Sequence, residues 1–233
     1  MPAEEVVKKR ILVLTGGDQG AGGFDLAAAV AYDLVIAADS GLDLAESIGI
    51  RPDVVVGDLD SASPDAVERA RAHGAEVDSH PAGKDHTDFE LALERAMREG
   101  ASEICVIGGA GGRPDHWLSN LALLAATAGA GLGVTADMGD WRVSVVTASH
   151  PYREELPAAE LLSLLAIGGD VLGITTEGLL YPLREEPLTM STSRGVSNVA
   201  QGGVVRVEIQ SGTLLVMRRQ QRRSDVPGHA IAP

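Results

Sequence analysis

Val54-Val55-Val56-Gly57-Asp58-Leu59-Asp60-Ser61 is the stretch around which this 233-residue chain is organised. Three successive β-branched residues read as a buried strand, and Gly57 lets that strand end abruptly. Asp58 and Asp60 are two apart, so in extended backbone both point to the same side. Two carboxylates aimed together from the carboxyl end of a strand repel each other unless a cation lies between them. Open α/β sheets bind ligands at that end. Hard oxygen donors suit Mg²⁺, which usually holds one or two carboxylates together with waters and phosphate oxygens. A solvated acidic turn would use the same two residues, so the flanking sequence has to decide.

Upstream, Arg10–Thr15 reads as a strand followed by Gly16-Gly17-Asp18 and a second glycine group, Gly20, Gly22 and Gly23. An Ala-rich helix is expected over Phe24–Tyr32, a strand over Asp33–Ala38, and a short helix over Leu42–Ile48, stopped by Gly49 and Pro52. Downstream, Ser63-Pro64-Asp65 is a helix start, with Ser at the N-cap and Pro at the first helical position. That helix runs to about His73, with Gly74 as its C-cap. Ala75-Glu76-Val77 is a minor strand. Thr87-Asp88-Phe89-Glu90 spells a capping box, and Phe89, Ala92, Leu93 and Ala96 mark the apolar face of the helix that follows. Ile104–Ile107 is another buried strand, closed by Gly108-Gly109. Trp117, Leu121, Leu124, Ala125 and Ala128 then line one face of a further helix. Repeated strand, turn and helix describe a parallel, Rossmann-like sheet covered by helices.

The pattern changes near His150-Pro151. Short segments alternating with Gly-containing turns, Leu161–Ile167, Val171–Thr175, Val204–Ile209 and Thr213–Arg218, read as a small all-β domain. The expected organisation is an α/β domain over 10–150 and a β domain over 151–218. Residues 1–9 read as a loose arm, and 219–233 as a polar, disordered tail.

Composition narrows the function. The formal charge of −14 disfavours nucleic acid and anionic membrane surfaces as partners. The lone Cys105, inside Ile104-Cys105-Val106-Ile107, excludes an internal disulfide and reads as a buried structural thiol. No apolar run reaches transmembrane length and no leader segment opens the chain, so a cytoplasmic protein is expected.

Four acid- or glycine-rich turns are expected along one edge of the sheet: Gly16-Gly17-Asp18, Asp39-Ser40-Gly41, Gly57 to Ser61, and Gly108 to His116. None has the P-loop spacing, and none gives a clean dinucleotide fingerprint. Lys84-Asp85-His86-Thr87-Asp88 is a second acidic cluster at a helix start. Asp88 can serve there as a favourable charge against the helix dipole or as a third Mg²⁺ carboxylate beside Asp58 and Asp60. In Gly108-Gly109-Ala110-Gly111-Gly112-Arg113-Pro114-Asp115-His116, four glycines let backbone N–H groups approach an anion. The helix N-terminus that follows favours negative charge, and Arg113 adds a fork suited to phosphate. In the β half, Tyr181 lies in the apolar run Gly178–Leu183, and Ser191 to Asn198 form a hydroxyl- and amide-rich loop, which could equally be bonded to its own backbone.

In this order and spacing the motifs resemble thiamine pyrophosphokinase, over roughly residues 10–218. The resemblance rests on Ala38-Asp39-Ser40-Gly41, Gly57-Asp58-Leu59-Asp60-Ser61, Lys84-Asp85-His86-Thr87-Asp88, Gly108-Gly109 with Gly112 to His116 and Asn120, Gly178–Leu183, and Ser193-Arg194-Gly195-Val196-Ser197-Asn198. It implies a C-terminal β-sandwich and a homodimer with active sites between the α/β domain of one subunit and the β domain of the other. It implies diphosphate transfer from ATP to thiamine, with Mg²⁺ on Asp58, Asp60 and Asp88, and Arg113 on phosphate. Asp39, Ser40, Gly41, Lys84, Asp85, Thr87, Gly109, Gly111, Gly112, Asp115, His116 and Asn120 fall at nucleotide positions. Tyr181, Ser193, Ser197 and Asn198 fall at acceptor-side positions. The chain departs from the family pattern at Ser40, where a glycine is usual, and at Tyr181, where some relatives carry tryptophan. A metal-dependent nucleotidyl or sugar transferase and a non-catalytic nucleotide-sensing module are the other readings of the same acidic pair.

Overall fold

The computed structural model describes residues 9–17, 32–60, 62–81 and 83–220. Of the expected arm over 1–9, helix over 24–32 and tail over 219–233, all but residues 9, 32, 219 and 220 lie outside the described residues, as do Asp18, Gly20, Gly22, Gly23 and Ser61. Arg219, expected in the disordered tail, instead ends a strand paired to Trp141. Among these residues the chain forms two compact units, the first holding 9–16 and 32–107, the second Gly17 and 108–220.

The first unit carries strands β1 (Arg10–Thr15), β2 (Leu34–Ala38), β3 (Val54–Gly57), β4 (Glu76–Ser79) and β5 (Glu103–Ile107). All pair in parallel, in the order β5-β1-β2-β3-β4. β1, β2, β3 and β5 are buried almost end to end, the continuous apolar run required of a strand covered on both faces. β4 is short and polar, and none of its residues is buried, which suits the edge it occupies.

Among the described residues three helices complete the unit: α1 (Gly41–Ser47), α2 (Pro64–Ala72) and α3 (Asp88–Arg98). Ala66, Val67 and Ala70 of α2 pack with Leu42, Ala37 and Val55. α3 buries Phe89, Leu91, Ala92, Leu93 and Ala96 against β1, β2 and β3. Its N-cap Thr87 accepts a hydrogen bond from Glu90 N at 3.2 Å, which fixes where the first turn, and with it Asp88, begins.

The second unit contains α4 (Pro114–Gly129), β6 (Gly133–Met138), β7 (Trp141–Val146), β8 (Tyr152–Ala166), β9 (Val171–Glu177), β10 (Glu186–Leu188), β11 (Asn198–Glu208) and β12 (Leu214–Arg219). Its strands pair antiparallel in one run, β6-β7-β12-β8-β11-β9-β10. One core gathers Val146, Leu162, Leu164, Val171, Ile174, Leu188, Val205, Val207, Leu214 and Val216.

Two features differ from the sequence reading. The compact division falls between Ile107 and Gly108, whereas the change in sequence character falls near His150-Pro151. The reason is the β6–β7 hairpin, because β7 pairs with β12 and α4 packs on both hairpin strands. The second feature is β8, which begins at Tyr152 instead of Leu161. Ala159 takes φ 67° and the β8–β11 register shifts nearby. That bulge breaks the period-two alternation by which a strand is read.

Candidate active site

β1, β2 and β3 run parallel, so their carboxyl ends share one edge of the first unit's sheet. β2 is followed directly by Asp39, whose backbone takes φ 46°. Its N–H donates to Val56 O at 2.9 Å, and its carbonyl accepts from Leu42 N at 2.9 Å. The turn into α1 is therefore tied to the neighbouring strand. Ser40 Oγ stands where a Cβ on Gly16 would lie, only 2.0 Å from that position. A hydroxyl at 40 fits because position 16 has no side chain.

β3 ends on Gly57 at φ 145°. A Cβ there would come within 2.7 Å of Asp88 Oδ1, so Gly57 is needed both for its backbone conformation and for the space Asp88 occupies. Asp58 N donates to that same Asp88 oxygen at 3.3 Å, and Asp60 N donates to Asp58 Oδ1 at 3.4 Å. Leu59, between them, sits at φ 63°.

Asp39, Asp58 and Asp60 each offer a carboxylate oxygen, and these atoms lie within 4.8 Å of one another. Asp88 stands beside the trio. Lys84 Nζ is 3.4 Å from Asp58 Oδ2 and forms an ion pair with Asp88 Oδ1. The Lys84 side chain is 11% exposed and that of Asp58 15%, so this is an inner contact and not a surface one.

The electrostatics follow from the crowding. The hydrogen bond from Asp60 N–H, helped by the Lys84 charge, outweighs desolvation and holds Asp58 below the usual carboxylate range. Asp60 is pushed upward, chiefly by the Asp58 charge, with desolvation, Asp39 and Asp88 adding to it. Burial works against the Lys84 ammonium, but Asp88 and Asp58 outweigh it and raise its pKa. One lysine against four carboxylates leaves excess negative charge on hard oxygen donors. That chemistry fits a divalent cation of the Mg²⁺ type.

The sequence reading singled out Asp58 and Asp60 as a pair and named Asp88 as the third ligand. The structure also brings Asp39 into the cluster, through the β2–β3 adjacency, which no local pattern encodes. Asp85 and Thr87 are exposed on the approach to α3.

The glycine-rich loop belongs to the second unit. Gly108, Gly109, Gly111 and Gly112 all take positive φ. Gly108 N donates to Asp137 O at 3.0 Å, and buried Asn120 donates its Nδ2 to Gly109 O at 2.9 Å. Asn120 is thus a loop anchor. Arg113 is the N-cap of α4, with Pro114 at the first helical position. Its guanidinium grips Asp115 at 3.2 and 2.5 Å. That bond holds the Asp115 carboxyl below its ordinary value. Both side chains are well exposed, so the pair is weakly held and open to exchange for another anion. His116 is exposed.

Also in the second unit, Tyr181 is 62% exposed, large for an aromatic side chain. Asn198 is 5% exposed and spends its amide on the tyrosine's backbone. Oδ1 accepts from Tyr181 N at 3.1 Å and from Val199 N at 2.9 Å, and Nδ2 donates to Tyr181 O at 2.8 Å. Asn198 therefore positions Tyr181. Ser197 takes φ 58°, and its N–H donates to Ser163 Oγ at 3.1 Å. Ser193 is exposed, and its carbonyl accepts from Val196 N at 3.0 Å.

The chain is similar to known proteins over most of its length. A family model described as "Thiamin pyrophosphokinase, catalytic domain" matches residues 28–135, and one described as "Thiamin pyrophosphokinase, vitamin B1 binding domain" matches 151–214. The chain is 25% identical to the thiamine pyrophosphokinase of Bacillus subtilis over 187 residues, covering 80% of this chain and 87% of the relative. It is 26% identical to thiamine pyrophosphokinase 1 of Oryza sativa subsp. japonica over 170 residues, covering 69% of this chain and 64% of the relative. The crystal structure of the Bacillus subtilis thiamine pyrophosphokinase is similar at a TM-score of 0.77 and 24% identity, over 91% of this chain and 100% of that one. The structure of the thiamin pyrophosphokinase from Candida albicans is similar at a TM-score of 0.74 and 15% identity, over 91% of this chain and 90% of that one. At these identities the structures speak for the fold alone. The two matched stretches together span most of the sequence, and the chain belongs to the thiamin pyrophosphokinase family.

Proposed function

We propose that this chain transfers diphosphate from ATP to the hydroxyl of thiamine, giving thiamine diphosphate and AMP, in the cytoplasm and with Mg²⁺ as cofactor. The observation that carries the reading is the convergence of Asp39, Asp58 and Asp60 at one strand edge, with Lys84 and Asp88 beside them. Family membership supplies the substrates.

Diphosphoryl transfer asks the protein for position and charge neutralisation more than for covalent chemistry. The thiamine hydroxyl oxygen bonds to the β-phosphorus in line, as the bond from that phosphorus to the α–β bridging oxygen breaks. AMP leaves with that oxygen. The hydroxyl proton passes to a carboxylate, Asp88 or Asp85. Asp58 and Asp60, with Asp39 or Asp88, would hold Mg²⁺, which when bound neutralises phosphate charge. Lys84 pairs with Asp58 and Asp88 and holds both carboxylates in place. Arg113 exchanges Asp115 for phosphate oxygens and steadies charge on the transferring group.

The matched stretches support a catalytic part over 10–150 and a thiamine-binding part over 151–218. The single antiparallel run around a shared core supports reading the latter as a sandwich folded from one sheet. In the homodimer, Tyr181 of one subunit serves the acidic cluster of the other. Gel filtration should place the protein at twice its 24.1 kDa chain mass.

Incubation with ATP, Mg²⁺ and thiamine should yield AMP and thiamine diphosphate. Formation of ADP, or no turnover, overturns the proposal in favour of another transferase or a nucleotide sensor. A second expectation concerns Asn198. Asn198→Ala leaves the Tyr181 N–H and carbonyl without their partner, so stability should fall by about 2 kcal/mol in a denaturant titration. KM for thiamine should rise roughly tenfold with little change in KM for ATP, as expected when a binding side chain loses its positioning.

A further inference from the structure

Away from Asp39, Asp58 and Asp60, a second group of ligand atoms assembles within the first unit. His86, Glu90 and Glu94 each offer one, all within 4.8 Å of one another. His86 Nδ1 lies 3.1 Å from Glu90 Oε1 and 3.8 Å from Glu94 Oε1. Glu90 and Glu94 are one helical turn apart on α3 and share a face. His86 precedes the N-cap Thr87 by one residue.

A helix-surface ion pair accounts for only part of this. An imidazole Nδ1 can donate one hydrogen, yet two carboxylates approach it. Glu90 is also the residue that a capping box would turn back to the N-cap N–H. Thr87 makes its half of that box, while the Glu90 carboxylate lies on His86 instead. Around a tetrahedral Zn²⁺ with bonds near 2.0–2.1 Å, neighbouring ligand atoms stand about 3.3 Å apart. The two separations from His86 bracket that value.

The donor set also separates this group from the acidic cluster. Three carboxylates suit Mg²⁺, whereas one imidazole nitrogen with two carboxylates suits borderline transition metals. The side chains of His86, Glu90 and Glu94 are 48%, 32% and 43% exposed, so an ion can enter directly from solvent.

We propose that His86, Glu90 and Glu94 form a site for a borderline divalent metal such as Zn²⁺ or Co²⁺, with water in the remaining position. The ion would staple the segment before α3 to the first two turns of that helix. Lys84 and Asp88 lie two residues either side of His86, so the staple would also hold them.

The test titrates Co²⁺ into the full-length protein in excess Mg²⁺, read by visible d–d absorption and by calorimetry. A single equivalent should bind in the wild type and in Asp60→Asn. Binding should weaken roughly tenfold or more in His86→Ala and in Glu94→Gln, both exposed changes whose folding is checked by circular dichroism. No saturable Co²⁺ binding in the wild type, or wild-type affinity in His86→Ala, overturns the proposal. Because the readout is binding, failure here leaves the thiamine reaction untouched, and the reverse also holds.

Discussion

Asp60→Asn should lower kcat/KM by about 10³-fold while leaving the melting temperature unchanged or slightly raised. Asp60 is exposed, and the Asp58 charge, with desolvation and the neighbouring acids, raises its pKa. Its ionised form is therefore at a disadvantage in the folded chain relative to the unfolded one. The sign follows from linkage. Below the ordinary carboxyl value of 3.8 the residue is protonated in both states, and wild type and variant should match. As pH rises through 3.8 to the higher folded value, ionisation of Asp60 costs the wild type stability that the neutral amide does not lose. At neutral pH the variant should be the equal of the wild type or better by calorimetry, with its kcat/KM lowered as above. A variant that instead unfolds makes Asp60 a structural residue and removes the main support for the cation site.

Lys84→Met should behave in the opposite way, losing stability and activity together. Lys84 is nearly enclosed and faces two carboxylates, Asp58 and Asp88. Removing a cation from a buried group of this kind leaves uncompensated charge, at 3–5 kcal/mol for full burial. The partial access of Asp88, 23% exposed, reduces the expectation to about 2 kcal/mol. kcat/KM should fall roughly 100-fold, because Asp58 and Asp88 then repel each other out of register. Raised Mg²⁺ should restore part of the stability of Lys84→Met, since a bound cation can serve as the missing counter-charge. Lack of any Mg²⁺ effect on its melting temperature would place the lysine outside the cation-binding group.

Much of the first unit was legible because its signals are local. Arg10–Thr15 and Val54–Gly57 are runs whose apolar residues need no partner to be recognised. Ser63-Pro64 and Thr87 to Glu90 mark helix starts by chemistry confined to one turn, although Ser63 makes no side-chain cap bond. What the sequence could not show was which turns become neighbours. Asp39 joins Asp58 and Asp60 only because β2 lies beside β3, and strand order is a property of the whole sheet. Lys84 falls at a nucleotide position in the resemblance, and only the fold shows that it also stands as a counter-ion to Asp58 and Asp88. The β6–β7 hairpin was legible in the Gly139-Asp140 turn between two alternating runs and was passed over. Asn198 falls at an acceptor-side position in the resemblance, and its amide also bonds the Tyr181 backbone, a long-range pairing that spacing alone does not reveal.

The close approach of Asp88 to the α-carbon of Gly57 has a consequence for how this protein can change. Positions 57 and 88 share one small volume, so neither can be varied as an independent site. A side chain at 57 would push the Asp88 carboxylate from its place beside Asp58 and Lys84, and a residue at 88 smaller than aspartate gives up the carboxylate. Mutational libraries aimed at new acceptors should hold both fixed and draw their diversity from around Tyr181, where the surface has room to accept it.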